Sequence, residues 1–206
     1  MDGERCRQHM ENKWTHINGN RIHSTARIHP SIRLGTGNVI GPNVIIDGFK
    51  GVAPSINIGN NNIINDNVRI LVEQFVMGDD NTIHNSVSIL AGRVFMVNKC
   101  WIGQRAFLDG TGDLYMDSNV AVAYNSYIWT HADWKYLPEG SLLKRKKPVV
   151  IEYGVWMMGS NIVINPGVTV REKTVMLPNS VITKDTEPGC VYGGVPARKL
   201  DIEAWE

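Results

Sequence analysis

The sequence of 206 residues predicts an all-β fold, a parallel β-helix of about eight three-sided coils. Three observations carry this: β-branched residues dominate the apolar set, an aliphatic residue returns every six positions, and departures from that period recur at one place in the cycle. Ile and Val together number 42 against 10 Leu. Branched side chains lose rotamer freedom in helices but pack well on a pleated surface. The 20 glycines and many asparagines supply residues that enter left-handed backbone conformations at low cost, as repeated tight corners require.

From Ile22 the period runs through Ile28, Leu34, Ile40, Ile46, Val52, Ile58, Ile64 and Ile70 without a slip. It slips by one at Val76 and resumes at Met77, Ile83 and Ile89. After Phe95 it resumes at Met96, Ile102 and Leu108, and after Leu114 and Tyr115 at Met116, Val122 and Ile128. A long interruption, Trp134 to Val150, precedes Ile151 and Met157. A last slip at Val163 leads to Ile164, Val170, Met176 and Ile182. Grouped in threes these hexads place every slip but the last at one corner of a triangular prism, the mark of a stacked solenoid. The fifth place of a hexad is often small or branched as well (Val44, Val68, Val87, Ala106, Val120, Val155, Val168), as a shared interior requires. Stacking at ~4.8 Å makes eight coils roughly 35 to 40 Å tall. A β-sandwich would instead show period-two alternation with turns every 8 to 12 residues.

The chain divides into a lead, 1–21, a β-helix, 22–187, with an inserted loop at 134–150, and a cap, 188–206, formed by a short C-terminal helix or other segment with Ile202 and Trp205 as its apolar contacts. A net charge of +1 gives no electrostatic footprint for nucleic acid or a membrane surface. Cys6, Cys100 and Cys190 form no CxxC pair and fit a reducing compartment. Without a long apolar run or an apolar N-terminal stretch, a cytoplasmic protein is expected.

The hexads IGPNVI, IGNNNI, IGQRAF and INPGVT resemble the repeat units of the left-handed β-helix acyltransferases. The run from Val149 to Leu200 is similar to the C-terminal half of maltose, galactoside and capsule-sugar O-acetyltransferases. The left-handed winding is implied by this resemblance alone, since crossovers are otherwise right-handed. The resemblance also implies acetyl-CoA as acyl donor, a carbohydrate acceptor and a homotrimer whose active site is closed by the extended loop of a neighbouring copy.

Acyl transfer from a thioester needs a base, oxyanion donors and a cradle for coenzyme A. Of six histidines, His9 and His16 fall in the lead, while His23, His29 and His84 take second positions of hexads and are expected to be solvated. His131 stands apart, in Trp129-Thr130-His131-Ala132-Asp133-Trp134 just before the interruption. An imidazole titrates at ~6.5, where a general base works well. From the residues alone a lone histidine is more often structural. The resemblance assigns His131 as the catalytic base, because the family carries its histidine in such a segment.

Candidate acceptor contacts are Asp109, Thr130, Asp133 and Trp134, with Asp109 and Asp133 also able to orient the imidazole or serve as plain corner residues. By resemblance Trp156 and Ser160 flank the pantetheine arm, Thr183 and Lys184 lie near its adenosine end, and Arg198 meets a phosphate. Backbone amides near Gly159 and Ser160 would hold the oxyanion. The family coil there has six residues whereas Met157 to Val163 has seven, and its acceptor-contacting Asn is replaced by the stretch Gly103-Gln104-Arg105. The basic run Lys144 to Lys147 is either a phosphate trap or a solvated charge run.

Direct O-acetylation in a ternary complex is the expected reaction, with neither Cys100 nor Cys190 as nucleophile. Rival readings are N-acetylation of an amino sugar, a metal-dependent hydratase and a non-catalytic scaffold. The hydratase needs three converging histidines and the scaffold a threonine ladder, and the sequence offers neither pattern; no metal is expected.

Overall fold

The computed structural model describes residues 13–132, 138–139 and 145–201. Nearly every regular element is a strand, joined into three sheets of eleven, eight and seven strands, faces A, B and C. Successive strands go to successive faces, and each pairs in parallel with the strand one coil away, so the architecture is a three-sided β-solenoid. Face A holds nine parallel rungs, plus an antiparallel strand at each end. At one strand spacing per rung the prism is about 38 Å tall.

Lead residues stack by face, as Ile28, Ile46, Ile70, Ile89, Leu108, Ile128, Ile164 and Ile182 do along face B. All but the first of these are buried, and so are the seven fifth-place residues from Val44 to Val168. The core is therefore a column of branched side chains shared by three sheets. Corners turn on single left-handed residues, Asn43, Asn67, Asn125, Asn161 and Asn179 among them.

One hexad of the expected series does not exist. Val52 is 56% exposed and lies in a corner excursion that includes the 3-10 turn Phe49–Gly51. Ile58 pairs with Leu34 on face C, and Ile64 with Ile40 on face A. The six residues that kept the period intact are thus an insertion as long as one hexad, invisible to a period search. With Val52 no longer counted as a lead, the gaps between face B leads and face C leads in five consecutive coils are 12, 7, 7, 8 and 23 residues. All five excursions leave one edge of the prism, the B–C corner. Only the extra residue between Met157 and Ile164 sits elsewhere, at the A–B corner.

Two terminal features also differ from expectation. The strand Trp14–Ile17 folds antiparallel onto Asn20–His23, and Trp14 meets the His23 ring edge-on at 5.0 Å. His23 is therefore buried rather than solvated. At the other end Val191–Gly194 adds a ninth rung beside Val175–Met176, and Ala197–Leu200 returns antiparallel, so the segment assigned to the cap contributes to the solenoid. Residues 202–206, with Ile202 and Trp205, lie outside the described residues.

At the C–A corner Asn20, Asn38, Asn62 and Asn81 form a buried ladder. The side-chain oxygen of each accepts from the backbone N–H of the next residue up the ladder, at 2.8 to 2.9 Å. Cys100 closes it; its backbone N–H donates to Asn81 Oδ1, and burial pushes its thiol up to about 11.

Candidate active site

Asp109 ends the face B strand Phe107–Asp109, where Leu71 and Leu90 occupy the same column in the coils below. A carboxylate in an apolar column must be compensated. Asp109 is 2% exposed and collects donors from its own corner and from the coil above. Its Oδ1 accepts from the Thr111 hydroxyl (2.6 Å) and backbone N–H (3.1 Å). Its Oδ2 accepts from the Thr130 hydroxyl (2.8 Å) and the N–H groups of Thr130 (2.8 Å) and His131 (3.1 Å). His131 Nδ1 lies 2.6 Å from the same oxygen. Burial alone would raise the Asp109 pKa, but hydrogen bonds from Thr111, His131 and Thr130 outweigh it and hold the carboxyl below its usual range. An ionised carboxylate only accepts, so Nδ1 carries the proton and the neutral imidazole keeps its lone pair on Nε2.

The base of the long loop fixes the backbone that carries His131. Lys147 donates its N–H to the Thr130 carbonyl at 3.0 Å, Ala132 donates to Arg145 at 2.7 Å, and His131 and Lys146 form an isolated antiparallel bridge. Thr130 is fully buried, its hydroxyl also accepting from the Gly112 N–H at 2.7 Å. Thr130 and Asp109 are therefore not open to an acceptor, contrary to the sequence assignment, because this clasp consumes their polar atoms. Asp133 and Trp134 lie outside the described residues, as does Lys144.

His131 is about one-third exposed and opens into a cleft of about 760 Å³ along the B–C corner. Lys146 and Phe107 flank the histidine, with Arg93, Asp113 and Glu73 further down and Phe49 and Lys50 at the far end. Trp129 packs at 4.9 Å from Phe107 and edge-on to the imidazole at 6.2 Å.

The six residues assigned to coenzyme A fall in two places. Thr183, Lys184 and Arg198 line a smaller cleft of about 290 Å³ near the end of the solenoid. Thr183 stands in the Trp129 column with Asn165 between them, two rungs or about 10 Å up the axis. Trp156 is on face A, 51% exposed. Ser160 is at the A–B corner, bridged to Tyr124. Neighbouring Gly159 has φ +80, and a Cβ there would lie 2.6 Å from Pro178. None of the six lines the His131 cleft within one copy.

No family model matches the chain. It is 47% identical over 53 residues to galactoside O-acetyltransferase of Escherichia coli (strain K12), covering 26% of each protein. It is 38% identical over 65 residues to chloramphenicol acetyltransferase of Agrobacterium fabrum, covering 32% of this chain and 27% of that one. These stretches, together with the three-sided β-solenoid, support a likeness to the hexapeptide-repeat acyltransferase family. The chain spans about a quarter of the length of these two relatives. Its fold is similar to that of LpxA, a UDP-N-acetylglucosamine acyltransferase of Bacteroides fragilis, with a TM-score of 0.55 at 21% identity over 88% of this chain and 60% of that one. It is also similar to a mutant of AntD, an N-acyltransferase of Bacillus cereus, with a TM-score of 0.53 at 17% identity over 98% and 89%.

Within this β-solenoid the residues that sequence reasoning missed are those of the cleft below His131. Phe49 and Lys50 were hidden by an insertion equal to one period. Arg93 and Asp113 pair across successive excursions of one corner, Nε donating to Oδ1 at 2.9 Å. The run of slips at that corner was the available signal.

Proposed function

We propose that this chain transfers an acetyl group from acetyl-CoA to a sugar hydroxyl, with His131 as general base. The observation that carries this reading is the 2.6 Å contact between His131 Nδ1 and the buried Asp109 carboxylate. It fixes the tautomer and leaves Nε2 to take a proton. The acceptor hydroxyl gives its proton to Nε2 as its oxygen attacks the thioester carbonyl; the C–S bond then breaks and the imidazolium returns the proton to the coenzyme A thiolate. Asp109 orients the ring and stabilises the imidazolium, as the carboxylate of a hydrolase triad does.

Placement of Trp156, Gly159 and Ser160 on another edge supports a site completed between copies. The B–C corner of one copy, with His131, would face the A–B edge of a neighbour, with Trp156, Gly159 and Ser160. We therefore read the assembly as a cytoplasmic homotrimer of left-handed solenoids. Lys184 and Arg198 offer cations to the phosphates. The stretch shared with galactoside O-acetyltransferase supports O- over N-acetylation.

The test is free thiol release from acetyl-CoA against a panel of sugars, nucleotide sugars and amines, with product masses. His131→Ala lowers kcat by roughly 10² or more at an unchanged Tm. A variant as fast as the wild type removes His131 from the mechanism, and acetylated amines without acetylated hydroxyls overturn the O-transfer reading.

A further inference from the structure

We infer that the cleft carries a distal acceptor subsite on the corner loop 47–54, centred on Phe49 and Lys50, and that the acceptor is an uncharged oligosaccharide rather than a single sugar. This rests on the acetyl-transfer reading above.

The cleft is continuous from His131 to Phe49 and Lys50. Along face B the rungs step from Ile45–Gly48 to Tyr127–Ile128 in four spacings, on the order of 19 Å. That is several times the width of one pyranose ring. A single-ring acceptor at Nε2 would leave the lower half of the cleft empty.

The loop at the far end is built rather than slack. The face B to face C spacing shows that the lattice needs six fewer residues here, yet the loop is braced by hydrogen bonds of its own. Gly48 donates its N–H to Asp47 at 2.7 Å, and Val52 donates to Phe49 at 3.2 Å. A Cβ on Gly48 would lie 1.6 Å from the Val52 carbonyl, so only glycine permits the turn. What the turn presents does not serve the core: Lys50 is exposed, its ammonium 5.2 Å from the Phe49 ring, and Val52 faces solvent.

Charge along the cleft selects the ligand class. Lys50, Arg93 and Lys146 face Glu73, Asp109 and Asp113, three formal charges of each sign. Arg93 is committed to Asp113, and Asp109 to His131. A diphosphate or polyanionic chain needs unopposed cations, whereas alternating donors and acceptors beside the apolar Leu90 and Phe107 suit the hydroxyl edges and C–H faces of neutral sugar rings.

The experiment compares kcat/KM for a ladder of one to five rings of whichever neutral sugar the thiol-release panel identifies, in wild type, Phe49→Ala and Lys50→Ala. Expected is at least a tenfold rise from one ring to the longer chains, lost in both variants while the single-ring value stays unchanged. Length-independent rates, equal losses on short and long acceptors, or preference for nucleotide-diphosphate sugars would overturn the inference without touching acetyl transfer. Should no acceptor release thiol, the transfer reading fails. The subsite is then judged by calorimetric binding of malto-, xylo- and chito-oligosaccharides, where affinity that grows with length and falls in the variants sustains it and length-independent or absent binding refutes it.

Discussion

Asp109→Asn removes one charge from the centre of the site and almost no volume. The carboxylate accepts from the Thr130 hydroxyl, the Thr130 and His131 N–H groups and His131 Nδ1 at Oδ2, and from Thr111 at Oδ1. The amide oxygen must take the more crowded Oδ2 position, so its NH₂ turns toward Thr111, whose hydroxyl can rotate to accept while its backbone N–H at 3.1 Å loses its partner. His131 keeps a neutral hydrogen bond in place of a charge-assisted one. The difference is about 1 to 2 kcal/mol, felt most when the imidazolium forms, so kcat should fall roughly 5- to 30-fold. Stability responds differently to pH. The Asp109 pKa is depressed in the folded chain, so its contribution is present above the unfolded value of ~3.9 and lost as pH falls through the folded value. The wild type should therefore lose a component of stability in acid that the Asn variant lacks. Steady-state rates at neutral pH and thermal melts between neutrality and strong acid measure both quantities. An Asn variant with unchanged kcat, or with a melting profile parallel to the wild type down to the acid limit, would refute the account of Asp109 as the orienting carboxylate.

Lys184→Ala and Arg198→Ala should each raise the KM for acetyl-CoA several-fold with little change in kcat; unchanged KM in both would detach this cleft from the cofactor. Asn62→Ala removes the side-chain donor to Asn38 Oδ1 and the Gly78 carbonyl and the acceptor of the buried Asn81 N–H, while the backbone N–H of residue 62 keeps its bond to Asn38. A cost of about 3 kcal/mol corresponds to a Tm drop of roughly 6 to 12 °C, readable by calorimetry. Cys100, buried with its thiol raised to about 11, should resist iodoacetamide at neutral pH in the folded chain while the partly exposed Cys190 reacts, a difference visible by mass spectrometry.

The B–C corner shows how a solenoid acquires a site. A regular coil offers only flat faces and tight turns, so concave space requires extra residues, and those residues must leave the same edge in successive coils to form one cleft. The excursions at Phe49–Gly51, Glu73, Ala91–Gly92, Thr111–Gly112 and His131 do this. Glycine holds the packed turns: a Cβ at Gly92 would stand 1.9 Å from the Gly110 carbonyl, and one at Gly112 2.3 Å from that of Thr130.

The sequence by itself determined the three-sided winding, the inward lead and fifth-place residues, and the distinction of His131, because each depends on short-range periodicity or on position beside an interruption. It could not determine how many hexads there are. An insertion of six residues leaves the phase unchanged, and only the pairing of Leu34 with Ile58 exposes Val52 as lying outside the lattice. Nor could it choose among the roles of Asp109, since that role depends on His131, 22 residues away in sequence yet one coil above. Periodicity fixes which side chains point inward. Which polar groups meet at an edge is decided by vertical stacking, because coils of unequal length bring different residues into register.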